Sequence, residues 1–138
     1  MPVADGSYLP EGDGSHFEAA MAFDKVEWRE GFIRIRVALQ PHHRNRQGLV
    51  HGGVMAALMD SAGMFAGTFD PEAENGRRAV TVSTACQFIG STKDDVVEAE
   101  GTLTRAGRSM YFSDAKVVDP ATGAILASGQ GTYKYRAG

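Results

Sequence analysis

The sequence predicts an α+β domain in which an antiparallel sheet of about five to six strands is wrapped around one long central helix. Three observations carry that prediction. Most apolar segments alternate with polar residues, as Ile33, Ile35, Val37 and Leu39 do with Arg34 and Arg36, the period of two that marks a half-buried strand. One proline-free segment, from Val54 to about Phe69, instead repeats its apolar residues at intervals of three and four, as a helix requires. No second segment reads convincingly as a helix.

Residues 1–16 are rich in Gly and small polar or acidic residues; such a stretch cannot bury enough apolar surface to offset the entropy of ordering it. They are expected to form a loose arm, with residues 17–138 making one domain. Ala22–Trp28 and Phe32–Leu39 read as two strands joined by a turn at Gly31. Pro41 ends the second, and a loop rich in Gly, His, Asn and Arg leads to the helix,. One helix face presents Val54, Ala57, Leu58, Ser61, Ala62 and Phe65. The other presents Gly53, Ala56, Asp60, Gly63, Met64 and Gly67 around a single carboxylate, so both sides are expected to be covered. A loop over 70–76 follows, closed by Asn75-Gly76. The rest divides into a strand around Val80–Phe88 and strands at Val96–Arg105, Ser109–Asp119 and Ala124–Tyr135, read as four strands in a meander,.

The chain has 138 residues, 43 % of them hydrophobic, which suits one ordinary core,. Fourteen Lys and Arg against seventeen Asp and Glu give a net charge of −3, which offers no basic field for a nucleic-acid backbone. The longest strongly apolar run, Val54–Met59, is far short of the roughly 20 residues that cross a bilayer. The N-terminus lacks the basic and apolar regions of a secretory signal, and the single Cys86 cannot form an internal disulfide,. A reducing, cytoplasmic location without membrane association is expected. His42-His43 lack the spaced partners of a metal site, and no pattern calls for a bound cofactor.

The chemistry concentrates between Asn45 and Asp60. Gly52-Gly53 leaves backbone N–H groups uncovered at a helix start, where donors are unpaired and the dipole favours negative charge. A developing oxyanion would be stabilised there, although a glycine pair alone is more simply an ordinary helix start. Asp60, in mid-helix among Ala56, Ala57, Gly63 and Met64, is either a structural carboxylate bonded to a neighbouring strand or a nucleophile or general base. Eight residues of helix separate Gly52 from Asp60 by about 12 Å. If both act on one carbonyl, Asp60 must come from a two-fold-related subunit, making a symmetric dimer the active unit.

Asn45, His51-Gly52-Gly53, Leu58-x-Asp60 and Ala62-Gly63 together resemble, in order and spacing, the signature of the hotdog-fold acyl-coenzyme A thioesterases of the phenylacetate-degradation (PaaI-like) group. The resemblance runs over roughly residues 20–135. It implies hydrolysis of an aryl- or medium-chain acyl-coenzyme A to free acid and coenzyme A, the latter being part of the substrate rather than a cofactor. Gly52 would then be the oxyanion donor and Asp60 the nucleophile or base, while Asn45 would help hold the thioester or the attacking water. The family's Ser or Thr that assists the Asp falls in the Val80–Ser83 stretch. Thr81 is the first choice, and Ser83 is the alternative because it shares a face with Thr81 at period two. His51 and Gly53 would support the loop at the helix start. Arg105 and Arg108, at a turn that in the family lies near the coenzyme A phosphates, would contact the nucleotide, and Arg77-Arg78 are similar candidates. Met64, with Met55 and Phe65, would line the acyl pocket, though such residues at helical spacing commonly belong to a core. The family's assembly further implies a dimer of dimers, a homotetramer.

Two other functions share the fold. Acyl-thioester hydration or dehydration places its His and carboxylate differently, and a non-catalytic acyl-coenzyme A binding module would be expected to lose the carboxylate and to carry a DNA-binding extension. The retained Asp60 and the short acidic arm favour hydrolysis.

Overall fold

The computed structural model describes residues 16–137; all but the last residue of the expected N-terminal arm lies outside them. A short helix α1 (His16–Ala20) precedes strands β1 (Asp24–Arg29) and β2 (Phe32–Ala38). The long helix α2 (Gly52–Ala66) is followed by β3 (Ala79–Phe88), β4 (Val96–Ala106), β5 (Met110–Val118) and β6 (Ile125–Tyr135). The result is the α+β architecture expected, a six-stranded antiparallel sheet around one long helix, the hotdog fold. No described helix is long and apolar enough to cross a membrane.

Alternation makes the strands. Ile33, Ile35 and Val37 are fully buried, while Arg34 and Arg36 on the other face pair with Glu27, Glu98 and Glu100 of the flanking strands. Gly31 takes the positive φ (+78°) that the β1–β2 turn demands,. Helix α2 starts at Gly52, two residues before the apolar repeat, because His51 serves as its N-cap. It stops at Ala66, three residues before the expected Phe69, with Gly67 as its C-cap.

The strand order is β1-β2-β4-β5-β6-β3, which corrects the expected four-strand meander. Strands β4, β5 and β6 form a meander, but β3 pairs with β6 at the far edge rather than with β4. Helix α2 carries the chain across the sheet's inner face before β3 begins, so β3 enters at the opposite side and leaves β4 to pair with β2.

The helix lies close to the sheet because glycines let it. A Cβ on Gly101 would come within 2.2 Å of the Ala62 carbonyl oxygen, and one on Gly67 would strike the Tyr111 ring. Gly63 and Gly131 both make room for the Tyr133 hydroxyl in the same way. The small-residue stripe around Asp60 is therefore explained, at Gly63 and Gly67, by close packing of helix on sheet. Leu58, Met55, Met59 and Ala62 enter the same core as the β2 and β4 side chains.

Candidate active site

His51 and two glycines shape the helix start. The His51 ring accepts the Gly53 N–H at Nδ1 (2.8 Å), and the His51 carbonyl oxygen takes the N–H groups of Val54 and Met55. Of the first four helical donors only the Gly52 N–H meets no acceptor among the described residues. It sits at the positive end of the helix dipole, so it can receive an anionic oxygen. The glycines differ in their surroundings: a Cβ on Gly53 would lie 3.0 Å from the His51 ring, whereas one on Gly52 would find only Phe88 ring carbons at 3.9 Å. Nothing in the chain itself forbids a side chain at Gly52.

Two turns further along, Asp60 is half-buried on the side of α2 that faces β3 and β6. Thr81 Oγ1 donates to Asp60 Oδ1 across 2.8 Å. The Tyr133 hydroxyl donates to the Asp60 main-chain oxygen at 3.2 Å. Burial first, and the Asp60 carboxylate second, push the Tyr133 phenol well above its ordinary pKa, so it remains a donor at neutral pH. The same two causes raise the Cys86 thiol, which also lies beside Asp60; a nucleophilic thiolate is disfavoured there. The crevice between Asp60, Cys86, Ala115, Gly129 and Tyr133 has no room for a water molecule. Access to Asp60 is thus from the open β3 side.

Ser83 does not share that face. The β3–β6 register shifts between Thr81 and Ser83, pairing Thr81 with Tyr133 but Ser83 with Thr132. Tyr133 is buried against the helix and Thr132 is its neighbour on the opposite face, so the bulge at Val82 breaks the period of two and turns Ser83 away from Asp60,. Thr84 and Cys86 then resume the inner face.

Asn45 lies on an exposed turn, where its Oδ1 accepts the N–H groups of Gln47 (2.9 Å) and Leu49 (3.1 Å). That leaves its amide NH2 as the group open to a ligand. His43 is fully buried, with Nδ1 accepting the Gln40 N–H and Nε2 bonded to the Met21 carbonyl; both ring nitrogens are used in holding the loop. Met55 belongs to the core and Phe65 packs edge-on against Trp28. Met64 is half-buried, and its carbonyl accepts the Tyr111 hydroxyl.

Arg105 and Arg108 are exposed at the β4–β5 turn. The strand registers continue past the strand ends, where the Tyr135 N–H donates to the Ser109 carbonyl and the Arg136 N–H to the Arg78 carbonyl, both at 2.9 Å. Arg136 and Arg78 consequently stand side by side, with Arg108 on the adjoining β4–β5 turn, all exposed and none ion-paired among the described residues. Like charges in one cross-strand row are unfavourable unless something anionic offsets them. Arg77 instead stacks on the Tyr135 ring, 3.5 Å from its centroid.

The sequence reading missed the three tyrosines behind the helix. Tyr133, Tyr111 and Tyr135 donate in turn to the Asp60, Met64 and Gly67 carbonyl oxygens. Their alternation in the strands was visible, but nothing local to them announces a bond to a helix at a distance.

Comparison with known proteins agrees with this architecture. The family model of the thioesterase superfamily matches residues 47–125. A conserved protein of Pseudomonas aeruginosa is similar over 88 % of this chain and 94 % of its own, with 27 % identity and a TM-score of 0.77. The PaaI protein of the Escherichia coli phenylacetic acid degradation operon shares 19 % identity over 90 % of this chain and 86 % of its own, with a TM-score of 0.78. A hypothetical thioesterase of Streptococcus pneumoniae, solved with coenzyme A, shares 21 % identity over 88 % and 94 % of the two chains, with a TM-score of 0.75. A Schizosaccharomyces pombe protein described as a candidate esterase is 50 % identical over 36 residues, which are 26 % of this chain and only 22 % of that protein's length.

Proposed function

We propose that this chain, which belongs to the thioesterase superfamily, is a thioester hydrolase that cleaves acyl-coenzyme A at sites shared by two copies of itself. In each site Gly52 of one chain receives the carbonyl oxygen, while Asp60 of the other, held by its own Thr81, attacks the carbonyl carbon or draws the proton from an attacking water. The C–S bond breaks, the sulfur leaves with a proton as coenzyme A, and the oxygen of water ends in the free acid.

One observation carries this reading. The two halves of the site lie at opposite ends of the same edge strand: Thr81 and Asp60 near the start of β3, Gly52 against Phe88 at its end. Thr81 and Phe88 are about 23 Å apart along the strand, so one chain cannot bring its own halves together. An antiparallel two-fold pairing of β3 with its copy, centred near Thr84 and Ala85, sets the start of each strand against the end of the other and assembles two complete sites. The strand suits that role, being ten residues long and proline-free, with Val80 and Val82 exposed; such an edge is a template for pairing.

The streptococcal structure solved with coenzyme A supports a coenzyme A ester as substrate, whose phosphates the exposed Arg105, Arg108, Arg78 and Arg136 would meet,. The amide of Asn45 would steady the thioester or the water, and Met64 would border the acyl group. A further pairing of dimers into a tetramer is part of the proposal, as is action in the cytoplasm, where a lone cysteine held as its thiol is stable.

The test is release of coenzyme A thiol from a panel of acyl-coenzyme A esters by the native chain and by Asp60→Asn, whose fold is checked by circular dichroism. Loss of turnover by about 100-fold or more is expected of a nucleophile or general base. Mixing Asp60→Asn with a Gly52→Val chain then tests the shared site, because hybrid dimers contain one intact pair of halves. Recovered activity in the mixture supports the reading; two variants that stay inactive after subunit exchange overturn it.

A further inference from the structure

Arg44 stands directly before Asn45, at the neck of the loop that leads to α2, where it bridges Val50 on the returning limb. Its side chain is only 19 % exposed, yet it makes no close ion pair: the Asp95 carboxylate is 4.0 Å away and 98 % exposed, a contact worth little. The guanidinium donors go instead to main-chain oxygens. Nη1 donates to the Gly48 carbonyl (3.1 Å) and, at longer range, to that of Thr92 (3.4 Å), while Nη2 donates to that of Asp94 (2.9 Å). One planar fork therefore spans two loops, the Asn45 turn and the β3–β4 connection, a reach that the compact ammonium of a lysine would not reproduce.

The two loops differ in how they are held. The β3–β4 connection is anchored: Thr92 Oγ1 donates to the buried Asp119 at 2.8 Å, the Leu39 N–H donates to the Asp95 carbonyl at 2.7 Å, and the N–H groups of Ile89 and Gly90 share the Leu126 carbonyl. The Asn45 turn has no such support of its own. Residues 45–47 are exposed. Apart from the Arg44 contact with Gly48, the hydrogen bonds of residues 45–48 among the described residues join the Asn45 N–H to the Leu49 carbonyl, the Gly48 N–H to the Asn45 carbonyl, and the Gln47 and Leu49 N–H groups to the Asn45 side chain. These bonds shape the turn without fixing where it stands. Its tie to the anchored loop runs through Arg44.

We infer that Arg44 is a positioning residue for the reaction: by clamping the Asn45 turn to the β3–β4 loop, it fixes where the Asn45 NH2 points relative to the Gly52 N–H. The inference rests on the thioesterase reading above, in which that NH2 steadies the thioester or the attacking water. A group that serves a reacting centre must be held to a fraction of an ångström. An exposed turn joined to the body only at its neck does not meet that demand.

The experiment compares the full chain with Arg44→Lys, Asn45→Asp and the double variant, the fold of each being checked by circular dichroism. Asn45→Asp keeps the oxygen that shapes the turn and removes the NH2, whereas Arg44→Lys keeps the charge and removes the fork. Arg44→Lys is expected to lower kcat for a coenzyme A ester about tenfold or more with KM within about twofold of native. In the Asn45→Asp background it should add less than about twofold, as expected of two residues that act through one group. A kcat within twofold of native, or an equal loss in both backgrounds, would overturn the inference. Nitrogen-15 NMR of the native chain tests the clamp even if Arg44→Lys does not fold: hindered rotation should resolve separate Arg44 Nη signals, and signals averaged as in a free side chain would overturn it. Resolved Arg44 signals, with Asn45 NH2 resonances that shift in Arg44→Lys, in a chain that turns over no ester, would uphold the clamp and refute hydrolysis.

Discussion

Thr81 donates its hydroxyl to Asp60 across 2.8 Å, tying the start of an edge strand to the middle of the central helix. One carboxylate oxygen is thereby oriented while the other stays available on the open side. A hydrogen bond to a charged group is worth about 1.5–3 kcal/mol, so Thr81→Val should lower kcat about 10- to 100-fold. Because Thr81 is exposed in the chain, the unfolding midpoint should barely move. Steady-state kinetics alongside denaturant unfolding checks this, and a kcat within twofold of native would show that the bond does not serve the reaction.

Gly52→Ala separates folding from function. The chain has open space for that methyl group, and Ala is the better helix former by up to about 1 kcal/mol, so stability should hold or rise. The methyl group would intrude on an acyl group seated over the Gly52 N–H, and displacement of the reacting atoms by about 1 Å can cost about 100-fold. Thermal unfolding and thiol release on the same sample provide the two readings. Full activity would remove Gly52 from the site.

His51 acts through the helix start. Its Nδ1 accepts the Gly53 N–H at 2.8 Å, and loss of such a cap typically costs about 1 kcal/mol. His51→Ala should shift the urea midpoint downward by that amount with the slope unchanged, and should lower kcat by loosening the Gly52 donor. A variant that retains native stability would show that the ring contributes no capping energy.

The adjacent Arg78 and Arg136, with Arg108 on the neighbouring turn, should act on the phosphate end of the substrate. Arg136→Ala is expected to raise KM for a coenzyme A ester about two- to fivefold, the scale of exposed ion pairs, with little change for the matching pantetheine ester. The effect should fade as salt screens the charges. Equal effects on both esters would mean that these arginines do not read phosphate.

Much of this was legible in the chain itself. Alternation at Ile33–Leu39 and the helical repeat after Val54 follow from side-chain periodicity, a property of neighbouring residues, and they were found nearly where the structure has them. The Asn45–Gly63 pattern pointed to Asp60 and Gly52 because a signature read along the chain preserves spacing, whereas Thr81 came from the family resemblance, with Ser83 as its alternative. Ser83 was misread for a physical reason: a bulge adds one residue to β3 without leaving any mark in composition, and every face assignment by period two fails beyond it.

Strand periodicity, turns, helix start and the carboxylate in its small-residue setting are encoded locally, by propensity and by the three- to four-residue geometry of a helix. The place of β3 beside β6, the contact of Phe88 with Gly52, the three tyrosines bonded to α2 and the neighbouring Arg78 and Arg136 arise only when the sheet closes on the helix. Each joins residues far apart in sequence, and many strand pairings satisfy the same hydrogen bonds equally well. The choice among them is made by which arrangement buries the apolar face of the helix, Val54, Met55, Leu58, Met59 and Ala62.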